Sequence, residues 1–176
     1  MNNYYQKAEG FFNFESYYSI VSQRLKNGDR AVEVGVYKGK SILYLAESII
    51  EANKQVNLFA VDTFKGSVEH SDQKEGQIYN EYICNVEPLK HVIKTIIMPS
   101  VDAASTFDDK SLNFVFIDAA HDYDNVKADI QAWMPKVKNG GILAGHDYHH
   151  YDAKKAVDEL LTNAIIYPGT VWEVTI

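Results

Sequence analysis

A chain of 176 residues is long enough to bury a substantial core and is expected to form one domain over 1–176. Its formal charge of −7, without a Lys/Arg run, argues against a nucleic-acid partner. Hydrophobic residues at 46% and charged residues at 23% are those of a water-soluble globular protein, no apolar stretch is long enough to span a bilayer, and the single Cys84 excludes an intrachain disulfide. With no secretory pattern in Met1 to Gly10, the expectation is a cytoplasmic chain without a membrane partner.

The amino-terminal stretch 1–28 is aromatic: Tyr4, Tyr5, Phe11, Phe12, Phe14, Tyr17 and Tyr18 precede Ile20, Val21 and Leu25. A helix is expected through about Lys26, stopped by Asn27 and Gly28. The segment either packs on a sheet or forms a lid or interface beside a pocket, since aromatic clusters favour interfaces.

Arg30 to Ser41 reads as a strand, a glycine turn and a helix. Ala31, Val32, Val34 and Val36 are strand residues, with the acid Glu33 among them. Gly35 and Gly39 permit a sharp turn and close approach to a ligand. Ser41 opens a helix carrying Ile42, Leu45, Ala46, Ile49 and Ile50 at helical spacing, and its free N–H groups suit a negatively charged group.

A second strand is expected over Val56 to Val61, ending in Asp62, then a loop over Thr63 to Gln77 and a short helix from Ile78 to Val86. The third strand spans His91 to Met98, with a brief helix over Ser100 to Phe107. Asn113 to Ile117 is a continuous apolar run, as a parallel strand buried on both faces requires, and ends at Asp118. Val126, Ile130, Trp133, Met134 and Val137 give a helical stripe closed by Lys138 to Gly141. Ile142 to Gly145 is a fifth strand before His146 and Asp147. A helix through Ala153, Ala156, Val157, Leu160 and Leu161 follows. Ala164 to Tyr167, the Pro168-Gly169 turn and Val171 to Ile176 make a hairpin, its last strand either interior or paired across a dimer.

Alternation of strand and helix predicts an α/β fold: a Rossmann-like, mostly parallel, seven-stranded sheet with helices on both faces and a C-terminal antiparallel hairpin strand. Right-handed crossovers then bring the C-terminal ends of the parallel strands to one edge. Glu33, Asp62, Ser100, Asp118, His121, His146 and Asp147 all fall there.

Asp62 can accept from a ribose diol or cap a loop. Glu33, costly as a buried ion, either meets a positive charge or accepts from backbone N–H groups. Gly35-Val36-Tyr37-Lys38-Gly39 lacks the middle glycine of a dinucleotide turn, and Gly39-Lys40-Ser41 comes one residue too early for a P-loop. The pocket therefore suits a phosphate-free cofactor with a ribose and a positive charge. Asp118, His146 and Asp147 can hold a divalent cation, which the imidazole tilts from Mg²⁺ towards Mn²⁺, Fe²⁺ or Zn²⁺; otherwise His146 and Asp147 line a polar loop. His121 either takes a proton from a substrate hydroxyl or caps the following helix. His149 and His150 read as exposed loop residues rather than ligands, and Lys40 and Lys65 as solvated.

Four segments, Ala31 to Ser41, Val61 to Gly66, Phe116 to Tyr123 and Gly140 to Asp147, resemble class I S-adenosylmethionine-dependent methyltransferases. The likeness is greatest to the small-molecule O-methyltransferases, such as catechol and macrolide-sugar O-methyltransferases, and runs from about Arg30 to Leu161. The resemblance implies S-adenosyl-L-methionine as cofactor, with Glu33, Gly35, Tyr37, Gly39 and Ser41 around its methionine part. It implies Asp62 on the ribose, Thr63 and Phe64 beside the adenine, and Ser100 and Asp102 at the adenine edge. Asp118 and Asp147 match metal positions for Mg²⁺ or Mn²⁺, with Asp118 also in the cofactor and catalytic sets. His146 stands where these relatives usually place an acid, and His121 where they place a base. The expected reaction is metal-assisted methyl transfer to a hydroxyl of a small molecule, in a chain that can form a homo-oligomer. The rival readings are a cofactor-binding protein without transferase activity and, disfavoured by the glycine pattern, an NAD-dependent oxidoreductase.

Overall fold

The computed structural model describes residues 2–66 and 76–176; part of the loop expected over Thr63 to Gln77 lies outside the described residues. One seven-stranded sheet has the order β3-β2-β1-β4-β5-β7-β6. Its strands are β1 (Arg30–Val34), β2 (Asn57–Asp62), β3 (Ile93–Ile97), β4 (Leu112–Ile117), β5 (Val137–Gly145), β6 (Ile165–Tyr167) and β7 (Val171–Thr175). β1 to β5 pair in parallel, while β7 runs antiparallel between β5 and β6. The expected fold class is borne out, and the last strand is interior.

The helices are α1 (Glu15–Arg24), α2 (Lys40–Glu51), α3 (Gln77–Val86), α4 (Ser100–Ser105), α5 (Tyr123–Trp133) and α6 (Tyr151–Leu160). Among the described residues no helix is long and apolar enough to cross a membrane. Side chains alternate across the sheet with the strand period of two. Ala31, Phe114 and Phe116 join the core under α1, α2 and α3. Val32, Val34, Val115 and Ile117 join the opposite core, with Trp133 and Val157 of α5 and α6. Both faces are covered, which is why β4 shows no polar alternation.

Phe14, Tyr17 and Tyr18 are buried, and the rings of Phe14 and Tyr18 lie 4.9 and 5.0 Å from that of Phe116. The aromatic segment thus packs on the sheet face, where each such side chain contributes about 1.5–3 kcal/mol by burial. Phe11 is the exception, at 79% exposure.

Most element bounds shift by one or two residues from expectation, and the largest difference is at β5. α5 stops at Trp133, and β5 starts at Val137 rather than Ile142. Pro135 lacks the N–H an α-helix requires and sits in a 3-10 turn over Met134–Lys136. The N–H groups of Lys110 and Ser111 then bind the Pro135 and Lys136 carbonyls, drawing the chain into register with β4 at Leu112–Val137.

Candidate active site

Glu33 has no solvent exposure and faces α1 and α2. Ser41, in the first turn of α2, donates its hydroxyl to Oε1, and Tyr18 of α1 donates to Oε2 at 2.9 Å. Its partners are thus two hydroxyls. Burial pushes the carboxyl up to about 8, against the opposing pull of those two donors.

The turn after β1 leaves the strand through Gly35 at φ 84°. A Cβ there would lie 2.1 Å from the Asp118 carbonyl oxygen, so only glycine lets this turn pass directly over the end of β4. The Asp62 carboxylate holds the turn from the other side. Oδ2 accepts from the N–H groups of Val36 and Tyr37, both at 2.9 Å, and Oδ1 from that of Phe64 at 2.7 Å. A carboxylate offers about four acceptor positions, so these bonds leave one.

Lys38 fastens the same turn outward. Its buried ammonium pairs with Glu81 of α3 at 2.7 Å and with Glu9 at 2.9 Å. Those partners, Glu81 foremost, raise its pKa.

On the adenine side of the expected site, Thr63 is half-buried and Asp102 exposed. The Phe64 ring is buried against Tyr82 and Tyr79, at 4.6 and 5.3 Å. The Ser100 hydroxyl faces α5, accepting from Trp133 Nε1 at 2.9 Å and bonding Asp129, whose carboxyl burial pushes up to about 6.

At the ends of β4 and β5 the expected chemical groups meet. His121 Nε2 lies 2.8 Å from Asp147 Oδ2. His146 is buried, with Nδ1 3.4 Å from Asp118 and 3.2 Å from Asp147. Its Nε2 faces Asn13 Oδ1 at 3.0 Å and the Thr170 hydroxyl at 3.2 Å. Burial opposes a charge on His146, but the two acids outweigh it and lift its pKa to about 10. Burial likewise opposes ionised Asp147, yet His121 and His146 hold it well below the usual carboxylate range.

Potential ligand atoms of Asp118, His121 and Asp147 lie within 4.8 Å of one another. Two carboxylates and an imidazole fit a divalent cation with mixed oxygen and nitrogen preference. His146 touches the same two acids, with its far nitrogen held by the amino-terminal segment. Tyr18, Lys38, Asn13 and Thr170 did not emerge from sequence reasoning. Their contacts span 15 to 133 positions or depend on a turn, and no motif marks them.

A family profile described as "Methyltransferase domain" matches residues 32–148, a span that includes Glu33 and Asp147. "Probable caffeoyl-CoA O-methyltransferase 3" of Dictyostelium discoideum is 25% identical over 166 residues, 90% of this chain and 61% of that protein. The O-methyltransferase NovP superposes with a TM-score of 0.71 at 18% identity, over 92% of this chain and 78% of its own. An rRNA methylase from Streptococcus thermophilus gives 0.67 at 14% identity, over 94% and 97%. At such identities the structures speak for the fold. The chain spans 13%, 52% and 61% of the three curated relatives it matches. With the profile covering two thirds of its length, and the turn and strand-end acids inside that match, the chain belongs to the methyltransferase-domain family.

Proposed function

We propose that this protein transfers a methyl group from S-adenosylmethionine to a hydroxyl of a small molecule, with a divalent cation assisting. The observation that carries the reading is the direct contact of the Gly35 turn with Asp118, beside the His121–Asp147 pair. On this reading a cofactor cradle lies against a base.

Glu33, Gly35, Tyr37, Gly39 and Ser41 surround the methionine part. Glu33, ionised on ligand binding, balances the ligand's positive charge. Asp62 offers its remaining acceptor position to the ribose, and Thr63, Phe64, Ser100 and Asp102 border the adenine. Asp147 orients the His121 ring, which accepts the hydroxyl proton as the acceptor oxygen becomes nucleophilic. Asp118 and Asp147, with His146, would hold the cation, which would polarise the acceptor oxygen and lower its pKa. The rest is positioning of two reactants. The net charge of −7 supports a small-molecule acceptor over a nucleic acid.

The test is calorimetric titration with S-adenosylhomocysteine in Mg²⁺, in Mn²⁺ and in chelator, followed by methyl transfer to a panel of phenols and sugars. Micromolar binding and a metal-dependent product are expected. Absence of binding in every condition overturns the reading.

A further inference from the structure

One carboxylate, Asp147, has four imidazoles around it. His121 approaches Oδ2 at 2.8 Å. His146, His149 and His150 approach Oδ1 at 3.2, 3.8 and 3.9 Å. His146 is buried, and both its ring nitrogens face polar groups. The side chains of His149 and His150 are 55% and 48% exposed.

The backbone builds this convergence. Asp147 adopts φ 59°, and the N–H of His150 returns to its carbonyl at 2.9 Å. The turn folds both histidines back over the acid just before α6. Their rings lie close, with centroids 4.3 Å apart. Potential ligand atoms of Asp147, His149 and His150 all fall within 4.8 Å of one another.

Hydrogen bonding does not account for this placement, since 3.8 and 3.9 Å exceed hydrogen-bond lengths. A shared ion does. Two donors each about 2.0–2.1 Å from a tetrahedral cation stand about 3.3 Å apart, a small side-chain adjustment from the distances here. Two imidazoles with one carboxylate select borderline first-row cations over Mg²⁺ and Ca²⁺, which favour oxygen alone.

We propose that Asp147, His149 and His150 form a binding site for a first-row transition cation of the Zn²⁺ or Co²⁺ class, open to solvent at its remaining positions. It uses Oδ1 of Asp147 and leaves Oδ2 to His121. It shares Asp147 with the Asp118–His146–Asp147 set but takes His149 and His150 in place of Asp118 and His146, and it requires no methyl transfer.

The test is titration of the untagged full chain with Co²⁺, read by its visible ligand-field absorption. A Co²⁺ equivalent that depends on His149 and His150 is expected to bind, to be displaced by Zn²⁺, and to resist about a hundredfold excess of Mg²⁺. His149→Ala and His150→Asn, the latter keeping a side chain suited to a helix start, should each weaken binding at least about tenfold. Thermal melting of both variants checks that they remain folded. Asp118→Asn should leave Co²⁺ affinity within about threefold. The inference is overturned if no Co²⁺ absorption develops, if Mg²⁺ competes on equal terms, or if Asp118→Asn abolishes binding while both histidine variants retain it. S-adenosylhomocysteine titrations of the same samples separate the two proposals: Co²⁺ binding without nucleoside binding sinks the methyl-transfer reading and leaves this site standing.

Discussion

The Tyr18 hydroxyl donates to Glu33 Oε2 across 2.9 Å, joining the aromatic helix α1 to the acid near the end of β1. Both residues are fully buried. The amino-terminal segment thereby reaches the cofactor turn through the core as well as over its surface. Tyr18→Phe removes one of the two hydroxyls on Glu33. A loss of about 1–3 kcal/mol in urea unfolding at pH 7 is expected, since a buried acceptor loses its partner. An unchanged midpoint would show that Tyr18 acts through packing alone.

Glu33 also sets a pH dependence. Burial raises its folded pKa from 4.5 to about 8, so between these values the folded chain holds a proton that the unfolded chain releases. Its contribution is fully present below about pH 4.5 and is lost as pH rises through about 8. Denaturant unfolding of the ligand-free protein should show stability falling over this window, by on the order of a few kcal/mol. Glu33→Gln should flatten that slope while weakening S-adenosylhomocysteine binding. Parallel slopes for the two proteins would contradict a protonated Glu33.

His121→Ala should lower turnover about a hundred- to ten-thousand-fold, the usual range for a general base. S-adenosylhomocysteine affinity should stay within about threefold, because the base serves the acceptor rather than the cofactor. Asp147→Asn should also lower turnover, by misorienting the imidazole. Full turnover by His121→Ala on an identified acceptor would remove the proposed base.

Gly35→Ala places a methyl group 2.1 Å from the Asp118 carbonyl oxygen, on a backbone with φ 84°. Destabilisation of at least about 2 kcal/mol is expected, together with loss of nucleoside binding, as the turn lifts from β4. Thermal melting and calorimetry would show both. Gly28→Ala is a useful control for positive φ, because nothing beyond its chain neighbours lies within 4 Å of the added carbon.

The sheet was legible because its signals are local: apolar runs, breaking glycines and an acid or histidine at the ends of β1, β2, β4 and β5. Crossover handedness then gathers Glu33, Asp62, Asp118 and Asp147 at one edge without knowledge of any side-chain contact. The start of β5 was not legible, because Lys138 to Gly141 look like a helix end until the pairing of Val137 with Leu112 is known. Nor was the Asp62 contact with three backbone N–H groups, which depends on the path of the turn. Asn13 reaching His146 spans 133 positions. Such a meeting is decided by packing, and a single sequence carries no mark of it.

The Gly35–Gly39 turn is gripped from two directions, by Asp62 from β2 and by Lys38 through Glu9 and Glu81. Its backbone is therefore ordered before any ligand arrives. A nucleoside docking there forfeits little chain entropy, so more of each contact it makes is retained as affinity. The same grip couples distant parts of the molecule: moving the amino-terminal segment or α3 leaves the buried ammonium with half its counter-charge. Order in the cradle and integrity of the amino terminus are thus coupled, and clipping the segment before Glu9 or after it should differ in consequence.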